Sequence, residues 1–462
     1  MSRVAILGAG LSGLVAAHGL RRALGPKMEI DIYESADRVG GQLHGVPVAG
    51  RPTDVGAEAF VLRRPEAREL VAELGLHDEV VVPTGARPAV WAHARLNPLP
   101  SPAWMGIPAT ADAVRGLVDD VDAARMEREP GRPLNWSPGS DCSLGELVAD
   151  RFGPSVVARS VDPMIGGVYA CLAVDTGVRA ALPALARLLD EGAPSLTAAV
   201  AALLPAPGEA RAPVFGALRG GYRRLVDALV ESAAAHLYLT RPVGPVRRVG
   251  AAWEVDGHGY DGVVVATPAP VAARQLAAVA AVSADGLRGI ATASSAVVAM
   301  AVDPATPLPE RSGVLAATGE ELARGVSADP VKAITLSSRK WAHYAADSGV
   351  AGGGAPRVRA SFGRLGQPVT ATDGELIATA SAALAQVCGT SAVALVDAVV
   401  QRWPDGLPCY APGHNGRIDG VIAGLPAGIA VAGSAYRGVG VPACIGQARA
   451  AAAAVGAHLA AR

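Results

Sequence analysis

The length, composition and charge of the chain exclude several classes of protein. Its 462 residues are about three times a typical domain of ~150 residues, so we expect several folding units rather than one small domain. Half of the residues are hydrophobic, which is typical of a globular protein with a sizeable core. The formal net charge of −1 provides no basic field, so we expect no nucleic-acid partner and at most peripheral contact with a membrane.

Cysteine spacing and apolar runs indicate the compartment. The five scattered cysteines have no C-x-x-C spacing, so we predict no bound metal and a reducing, cytoplasmic location. They are Cys142, Cys171, Cys388, Cys409 and Cys444. Residues 4–20 could pass for the apolar core of a signal peptide, but their glycine spacing favours another interpretation. Because charges, prolines or glycines interrupt every long apolar run, we predict no transmembrane helix.

The first residues predict a β-α-β unit. The apolar run 3–7 leads into the glycine-rich sequence 8–13 (GAGLSG), after which alanine and leucine recur at helical spacing over 14–24. Residues 28–33 (MEIDIY) alternate like a strand. Strand, tight turn, helix and strand within about thirty residues are typical of a nucleotide-binding fold.

Further strand signals recur far along the chain, at 251–255, 262–266 and 429–432, and an alanine-rich helix is predicted over 447–461. Between them lie a helical stretch over 112–201, a strand-like stretch over 294–362 and a flexible loop at 349–356. The order of these signals indicates that pieces of one nucleotide-binding domain are dispersed along the chain, with other domains inserted.

The glycine spacing points to a dinucleotide. Gly8 suits the tight turn, Gly10 lets the backbone approach a diphosphate, and Gly13 lets the helix pack on the strand. The helix N-terminus then offers free N–H groups to the phosphates. Glu34 ends the second strand, where a carboxylate accepts hydrogen bonds from a ribose diol; a solvated strand-end charge is the alternative.

Three segments decide which dinucleotide is bound. Residues 34–42 (ESADRVGGQ) resemble the E-x-x-x-R-x-G-G signature of FAD-dependent oxidases and dehydrogenases. Residues 54–60 (DVGAEAF) are similar to the next family element, along the flavin, and residues 432–442 (AGSAYRGVGVP) to the C-terminal flavin motif; for the latter a purely structural loop is the alternative. The resemblance implies non-covalent FAD. It assigns to the cofactor Gly8, Ala9, Gly10, Leu11, Ser12, Gly13, Glu34, Ser35, Arg38, Gly40, Gly41, Gln42, Gly56, Ala57, Glu58, Ala59, Val246, Trp403, Gly433, Ser434, Val439, Gly440 and Val441.

Further blocks resemble one branch of these flavoproteins, the protoporphyrinogen/coproporphyrinogen oxidases of haem biosynthesis. They are 163–170 (PMIGGVYA), 220–225 (GGYRRL), 340–341 (KW), 403–404 (WP), 408–410 (PCY), 413–414 (GH) and 438–445 (GVGVPACI). The sequence around Glu58, with Arg63 and Arg64 following, looks most like that of the soluble Gram-positive type, which acts on coproporphyrinogen III. Glu58 departs from the mitochondrial type, which has an arginine there, so that type's flavin contacts are not carried over.

The resemblance implies a mixed α/β and α+β fold. A discontinuous Rossmann-like FAD-binding domain is expected at 1–80, 216–272 and 403–462. A mixed-sheet substrate domain is expected at 81–105, 201–215 and 273–402, and a mainly helical domain at 106–200.

The implied reaction is a six-electron oxidation of coproporphyrinogen III, with O2 reduced to H2O2. A porphyrinogen is an apolar macrocycle edged by carboxylates, so the site needs a flat apolar slot with cations at its rim. By resemblance, Gly167 and Val168 belong to a loop over the flavin that positions substrate; plain core packing is the alternative. Arg63, Arg64 and Arg87 are expected to bind propionates, since arginine matches a carboxylate bidentately; solvated surface charges are the alternative.

Four rival interpretations remain. They are a protoporphyrinogen IX oxidase, a flavin amine oxidase, a carotenoid desaturase, and a non-catalytic porphyrin or flavin carrier. Amine oxidases usually carry a lysine near the flavin on a strand that corresponds to 296–301 (AVVAMA), which has none. The partners expected for an oxidase are the porphyrinogen, O2 and a ferrochelatase that receives the product.

Overall fold

The computed structural model describes residues 2–205, 213–320, 322–323, 326–346 and 354–462. Most of the loop predicted at 349–356 lies outside the described residues, and so does the middle of the segment 201–215.

A five-stranded parallel sheet gathers strands from distant parts of the chain. Its order is His236–Tyr238, Glu29–Tyr33, Arg3–Leu7, Gly262–Val265 and Ile429–Val431. The central strands are short apolar runs because both faces of the sheet are covered. All five carboxyl ends therefore meet at one edge of the sheet.

The two faces of this sheet pack against different helices, because side chains alternate along each strand. Val4 and Ile6 contact the core of one face, and Ala5 and Leu7 that of the other. The first face is covered by the helices Leu11–Leu24, Pro65–Glu73, Arg223–Ala233 and Val441–Ala460. The second is covered by the helices Ala269–Leu276, Ala281–Arg288 and His414–Ala423 and by the antiparallel strands Arg247–Val249, Ala252–Val255 and His258–Tyr260.

A second, seven-stranded sheet is mainly antiparallel. Its order is Leu395–Pro408, Thr292–Val302, Arg357–Phe362, Val331–Thr335, Gly313–Ala316, Ala89–Ala92 and Arg95–Pro98. One face packs on the helix Asp373–Cys388, which a Thr372–Glu375 capping box begins. From the other face Arg359 reaches the Gly56 carbonyl oxygen at 2.6 Å, and so ties this sheet to the loop that follows Asp54.

A helical layer covers part of the second sheet. Its helices are Asp120–Arg128, Leu144–Phe152, Pro154–Val156, Asp162–Tyr169, Val178–Ala181, Pro183–Asp190 and Leu196–Ala202. A π-helical turn, Val157–Val161, joins two of them into one segment. Glu129 and Arg151 form a buried ion pair at 2.8 Å inside this layer.

Smaller elements complete the fold. They are the hairpins Gly45–Val48/Arg51–Asp54 and Ala103–Trp104/Ile107–Pro108, the antiparallel strands Phe60–Val61, Phe215–Leu218 and Val80–Val81, the helices Ser337–Lys340 and Ala342–Ala346, and the 3-10 turns His77–Glu79, Ala111–Val114, Glu129–Gly131 and Ala173–Asp175. No helix in the described ranges is long and apolar enough to cross a membrane. The division into seven domain segments stays a prediction.

Candidate flavin site

A cavity of about 930 Å³ lies at the carboxyl edge of the parallel sheet. Its wall is formed by the glycine-rich turn after the first strand, the end of the second strand, the residues after Val265 and the turn after Val431. Ligands of open parallel sheets bind at this edge, because the loops that follow the strands converge there.

Glu34 is held rigidly at the cavity wall. Its Oε2 accepts a hydrogen bond from the Ala9 N–H at 2.8 Å, and its Oε1 accepts one from the Ala36 N–H at 2.9 Å. These bonds fix the carboxylate beside the glycine turn while leaving lone pairs for a ribose diol. Gly8 adopts a φ of +101° in this turn, a conformation that favours glycine.

Two helix N-termini open into the same cavity. The helix Leu11–Leu24 begins after Gly10 and the helix Val441–Ala460 after Gly440, and neither has a side-chain cap. Their first N–H groups are therefore available to a ligand, with the partial positive charge of the helix ends. A diphosphate suits one end and the electron-rich carbonyl side of a flavin ring suits the other, so the residues present fit FAD.

Fourteen of the residues assigned to the cofactor line the cavity. They are Gly8, Gly10, Leu11, Ser12, Glu34, Ser35, Gly40, Gly41, Gln42, Ala57, Gly433, Ser434, Val439 and Val441. The structure thus brings together residues that the sequence separates by some four hundred positions.

The other assigned residues lie outside this lining. Gly13 and Gly56 pack against backbone, since a Cβ there would come within 1.9 Å of the Gly8 oxygen and 1.8 Å of the Gln42 oxygen respectively. The Ala9 N–H donates to Glu34, and Gly440 directly precedes the helix Val441–Ala460. Val246 is buried and its N–H donates to the Gln275 carbonyl oxygen, while Ala59 is half-buried. Arg38 donates to the Gly41 carbonyl at 2.9 Å, and its guanidinium lies over the Trp403 ring at 5.7 Å.

Several lining residues were not assigned from the sequence, among them Tyr33, Arg241, Pro242, Val243, Gly244, Pro245, Ala266, Thr267, Pro268, Gln275 and Pro408. Residues 266–268 directly follow the strand Gly262–Val265, so the edge rule for parallel sheets could have found them. Residues 241–245 carry no such signal.

Comparison with known proteins now decides the family. Residues 11–456 match the flavin-containing amine oxidoreductases. The chain belongs to this family. The coproporphyrinogen III oxidase of Mycobacterium bovis is 46% identical over 451 residues, which cover 96% of this chain and 95% of the relative. The Bacillus subtilis protein of the same name is 27% identical, with 97% of this chain and 96% of the relative covered.

Solved structures agree on the fold. A candidate protoporphyrinogen oxidase from Exiguobacterium sp. 255-15 has a TM-score of 0.84 at 25% identity, with 99% of each chain covered. These findings confirm the resemblance inferred from the motifs and the mixed α/β and α+β fold class. They also establish the protein as a flavin-dependent oxidoreductase.

In this flavin oxidoreductase Glu58 anchors a buried charge cluster beside the cavity residue Ala57. Its Oε2 lies 2.9 Å from Lys340 Nζ, and its Oε1 accepts a hydrogen bond from the Ser337 hydroxyl at 2.5 Å and lies 3.7 Å from Arg359 Nη1. Burial alone would raise the pKa of Glu58, but the two cations and the Ser337 bond outweigh it and lower the pKa to about 2.

The glycine turn of the flavin oxidoreductase rests on two aromatic rings. Tyr410 and His414 stack with their centroids 4.1 Å apart. The Tyr410 hydroxyl accepts from the Gly438 N–H at 2.7 Å, and a His414 ring nitrogen bonds the Tyr436 carbonyl oxygen at 3.0 Å. Both side chains therefore support the turn from below and do not line the cavity.

None of the residues assigned to substrate is part of the lining of the flavin cavity. Gly167 and Val168 are exposed near the end of the helix Asp162–Tyr169, and a Cβ at Gly167 would lie 3.6 Å from Leu315. Arg63, Arg64 and Arg87 are exposed. The Arg64 guanidinium pairs with Glu66, whereas no ion pair of Arg63 or Arg87 occurs in the described part of the chain. No group of three or more potential metal ligands occurs in the described ranges.

Proposed function

We propose that the protein oxidises coproporphyrinogen III to coproporphyrin III, with non-covalent FAD and O2 as the final acceptor. The observation that carries this proposal is the 46% identity to coproporphyrinogen III oxidases over almost the whole chain. Removal of six electrons and six hydrogens balances against three O2 reduced to three H2O2. The free, scattered cysteines support a cytoplasmic location, where a ferrochelatase could take over the product.

Oxidation of the porphyrinogen needs little acid or base catalysis from the protein. The meso C–H bonds of a porphyrinogen are hydridic, because the flanking pyrroles stabilise the positive charge left behind. When bound, the flavin supplies a two-electron acceptor. The chain's own residues must hold the flat macrocycle, keep water away and bind its carboxylates; Gly167 and Val168, exposed on the helix facing Leu315, suit an apolar contact with the ring.

The rival functions predict different products. The strand Thr292–Val302 carries no lysine, which argues against the amine oxidase chemistry of many family members. A carrier would bind porphyrin or flavin without turnover. A protoporphyrinogen IX oxidase would accept a dicarboxylate as well as or better than a tetracarboxylate.

We expect the purified yellow protein to be bleached anaerobically by coproporphyrinogen III, and to bleach more slowly with protoporphyrinogen IX. In air, a fluorescent porphyrin and three H2O2 per porphyrin should accumulate, while acid should release all flavin. Ammonia and aldehyde from amines would support an amine oxidase, and no bleaching with any of these would support a carrier. Faster bleaching by protoporphyrinogen IX would refute the substrate assignment.

We expect Arg63→Ala and Arg87→Ala each to lower kcat/KM by roughly tenfold, because a partly solvated arginine–propionate pair contributes ~1–2 kcal/mol. The loss should fall on KM, since the contact is remote from the reacting carbon. Arg64→Ala should have a smaller effect, because Arg64 already pairs with Glu66. Steady-state kinetics of the three variants would test the assignment of these arginines to propionate binding. An unchanged KM in all three variants would refute that assignment.

A further inference from the structure

Two cations outside the flavin cavity, Lys332 and Arg364, lie together beneath the helix Asp162–Tyr169. The Lys332 ammonium donates a hydrogen bond at 2.8 Å to the carbonyl oxygen of Gly363, the residue before Arg364. On the other side, a Cβ at Gly166 would lie 3.4 Å from Arg364 Nε. The two cations therefore lie between the second sheet and the helical layer.

Neither cation has a carboxylate within ion-pair distance among the residues that the structure describes. Arg364 Nε is buried there without a hydrogen-bond partner. Asp162 attracts Arg364 at longer range, but its two oxygens already accept hydrogen bonds, each 2.8 Å long, from the Ala173 N–H and the Thr318 hydroxyl. Burial lowers the pKa of Arg364, and burial together with Arg364 lowers the pKa of Lys332 to about 8.

An unpaired, half-buried cation costs free energy, and a pair of them costs more because like charges repel. The carboxylate of a ligand would supply the counter-charge that the described residues do not. The adjacent surface is apolar: Gly167 is exposed, and the side chain of Val168 stands out from the same helix turn with 41% of its surface exposed. Cations next to an apolar strip match a ligand that is apolar in its body and carboxylated at its edge.

We propose that Lys332 and Arg364 bind one carboxylate side chain of the porphyrinogen, while Gly167 and Val168 contact the ring to which it is attached. The guanidinium can meet both carboxylate oxygens and the ammonium adds a point charge. This inference rests on the proposed function. In this proposal Lys332 and Arg364 orient the macrocycle. They follow the arginines at 63, 64 and 87 by more than two hundred positions in the sequence.

Binding of coproporphyrin III to the holoenzyme tests the site without turnover. Arg364→Gln and Lys332→Gln should each raise the Kd, measured by fluorescence titration, about tenfold at low salt. Arg364→Lys should keep most of the affinity because it keeps the charge. KM for coproporphyrinogen III should rise in parallel with little change in kcat. The control is Arg187→Gln, an exposed arginine of the helical layer paired with Glu191, and its Kd should equal that of the wild type.

Thermal unfolding without porphyrin separates ligand binding from a structural role. If the cations serve a ligand, Arg364→Gln should unfold at the same temperature as the wild type or higher, since an unpaired charge has been removed. A lower unfolding temperature together with wild-type Kd would overturn the proposal, and so would wild-type Kd in both glutamine variants.

Failure of the proposed function has a different signature. In that case the wild type would neither bind coproporphyrin III nor be bleached by coproporphyrinogen III. Succinate at constant ionic strength then serves as the probe. Stabilisation of the wild type by succinate, and not of Arg364→Gln, would support a carboxylate site in an enzyme of other specificity. Equal behaviour of the two proteins would overturn the site as well.

Discussion

We expect Gly10→Val to yield a folded protein that has lost its flavin. The backbone of Gly10 has a φ of −71°, which any residue adopts, and a Cβ there would meet nothing in the protein closer than the Gly41 Cα at 3.8 Å. The side chain would instead occupy space where a diphosphate approaches the first N–H groups of the helix. The ratio of flavin to protein absorbance should fall at least tenfold, with the far-UV circular dichroism and the unfolding temperature of the apoprotein unchanged.

Gly13→Ala provides the contrast, because its defect lies in folding. A Cβ at Gly13 would stand 1.9 Å from the Gly8 oxygen, so the helix and the turn could not pack as they do. We expect this variant to be insoluble or to unfold at a much lower temperature. Gly416→Ala, where a Cβ meets nothing within 4 Å, should match the wild type in both measurements. A yellow, fully loaded Gly10→Val protein would contradict the assignment of the diphosphate to this turn.

The cofactor cavity could be predicted from the sequence because much of the dinucleotide motif lies in one short segment. Three glycines, a strand and a carboxylate lie at fixed spacing within about thirty residues. Gly8 is required by its positive φ and Gly13 by close packing, whereas Gly10 and Glu34 are required by the ligand. Helix starts were less accurate: the last helix begins at Val441, six residues before the predicted 447, because Gly440 and Pro442 make a favourable first turn within a segment predicted as loop. The same uncapped start is what opens the cavity to a ligand.

Contacts between distant segments could not be predicted in this way. Glu58 pairs with Lys340 across some 280 positions, and nothing in either local sequence specifies the other. Lys332 and Arg364 are likewise ordinary residues of strand and loop until the sheet and the helical layer are packed together. The charge of each residue and the periodicity of hydrophobic residues can be read from one sequence. Whether a charged side chain has a counter-ion depends on how the elements pack in the folded protein.

We expect Glu58→Gln to lower the free energy of unfolding at pH 7 by about 3 kcal/mol, from the difference between an unfolded pKa of 4.5 and a folded pKa of about 2. The amide keeps the size of the side chain but leaves Lys340 and Arg359 without their shared counter-charge. Urea unfolding of the flavin-free protein measures the loss. Glu191→Gln, which breaks an exposed pair with Arg187, should cost well under about 1 kcal/mol.

The pH dependence distinguishes lost charge from lost packing. Because the folded pKa of Glu58 is depressed, its stabilisation is complete above about pH 4.5 and disappears as the pH falls through about 2. The difference in stability between wild type and Glu58→Gln should therefore shrink across that window. Burial raises the pKa of Asp54 to about 7, and the charge of Glu58 contributes to that rise, so Glu58→Gln also changes how Asp54 titrates. The two proteins are therefore compared below about pH 4, where Asp54 is protonated in the folded state of both. A difference that stays constant down to pH 2 would mean that packing is what the substitution removes, and no difference at pH 7 would mean that Glu58 carries no charge in the folded protein.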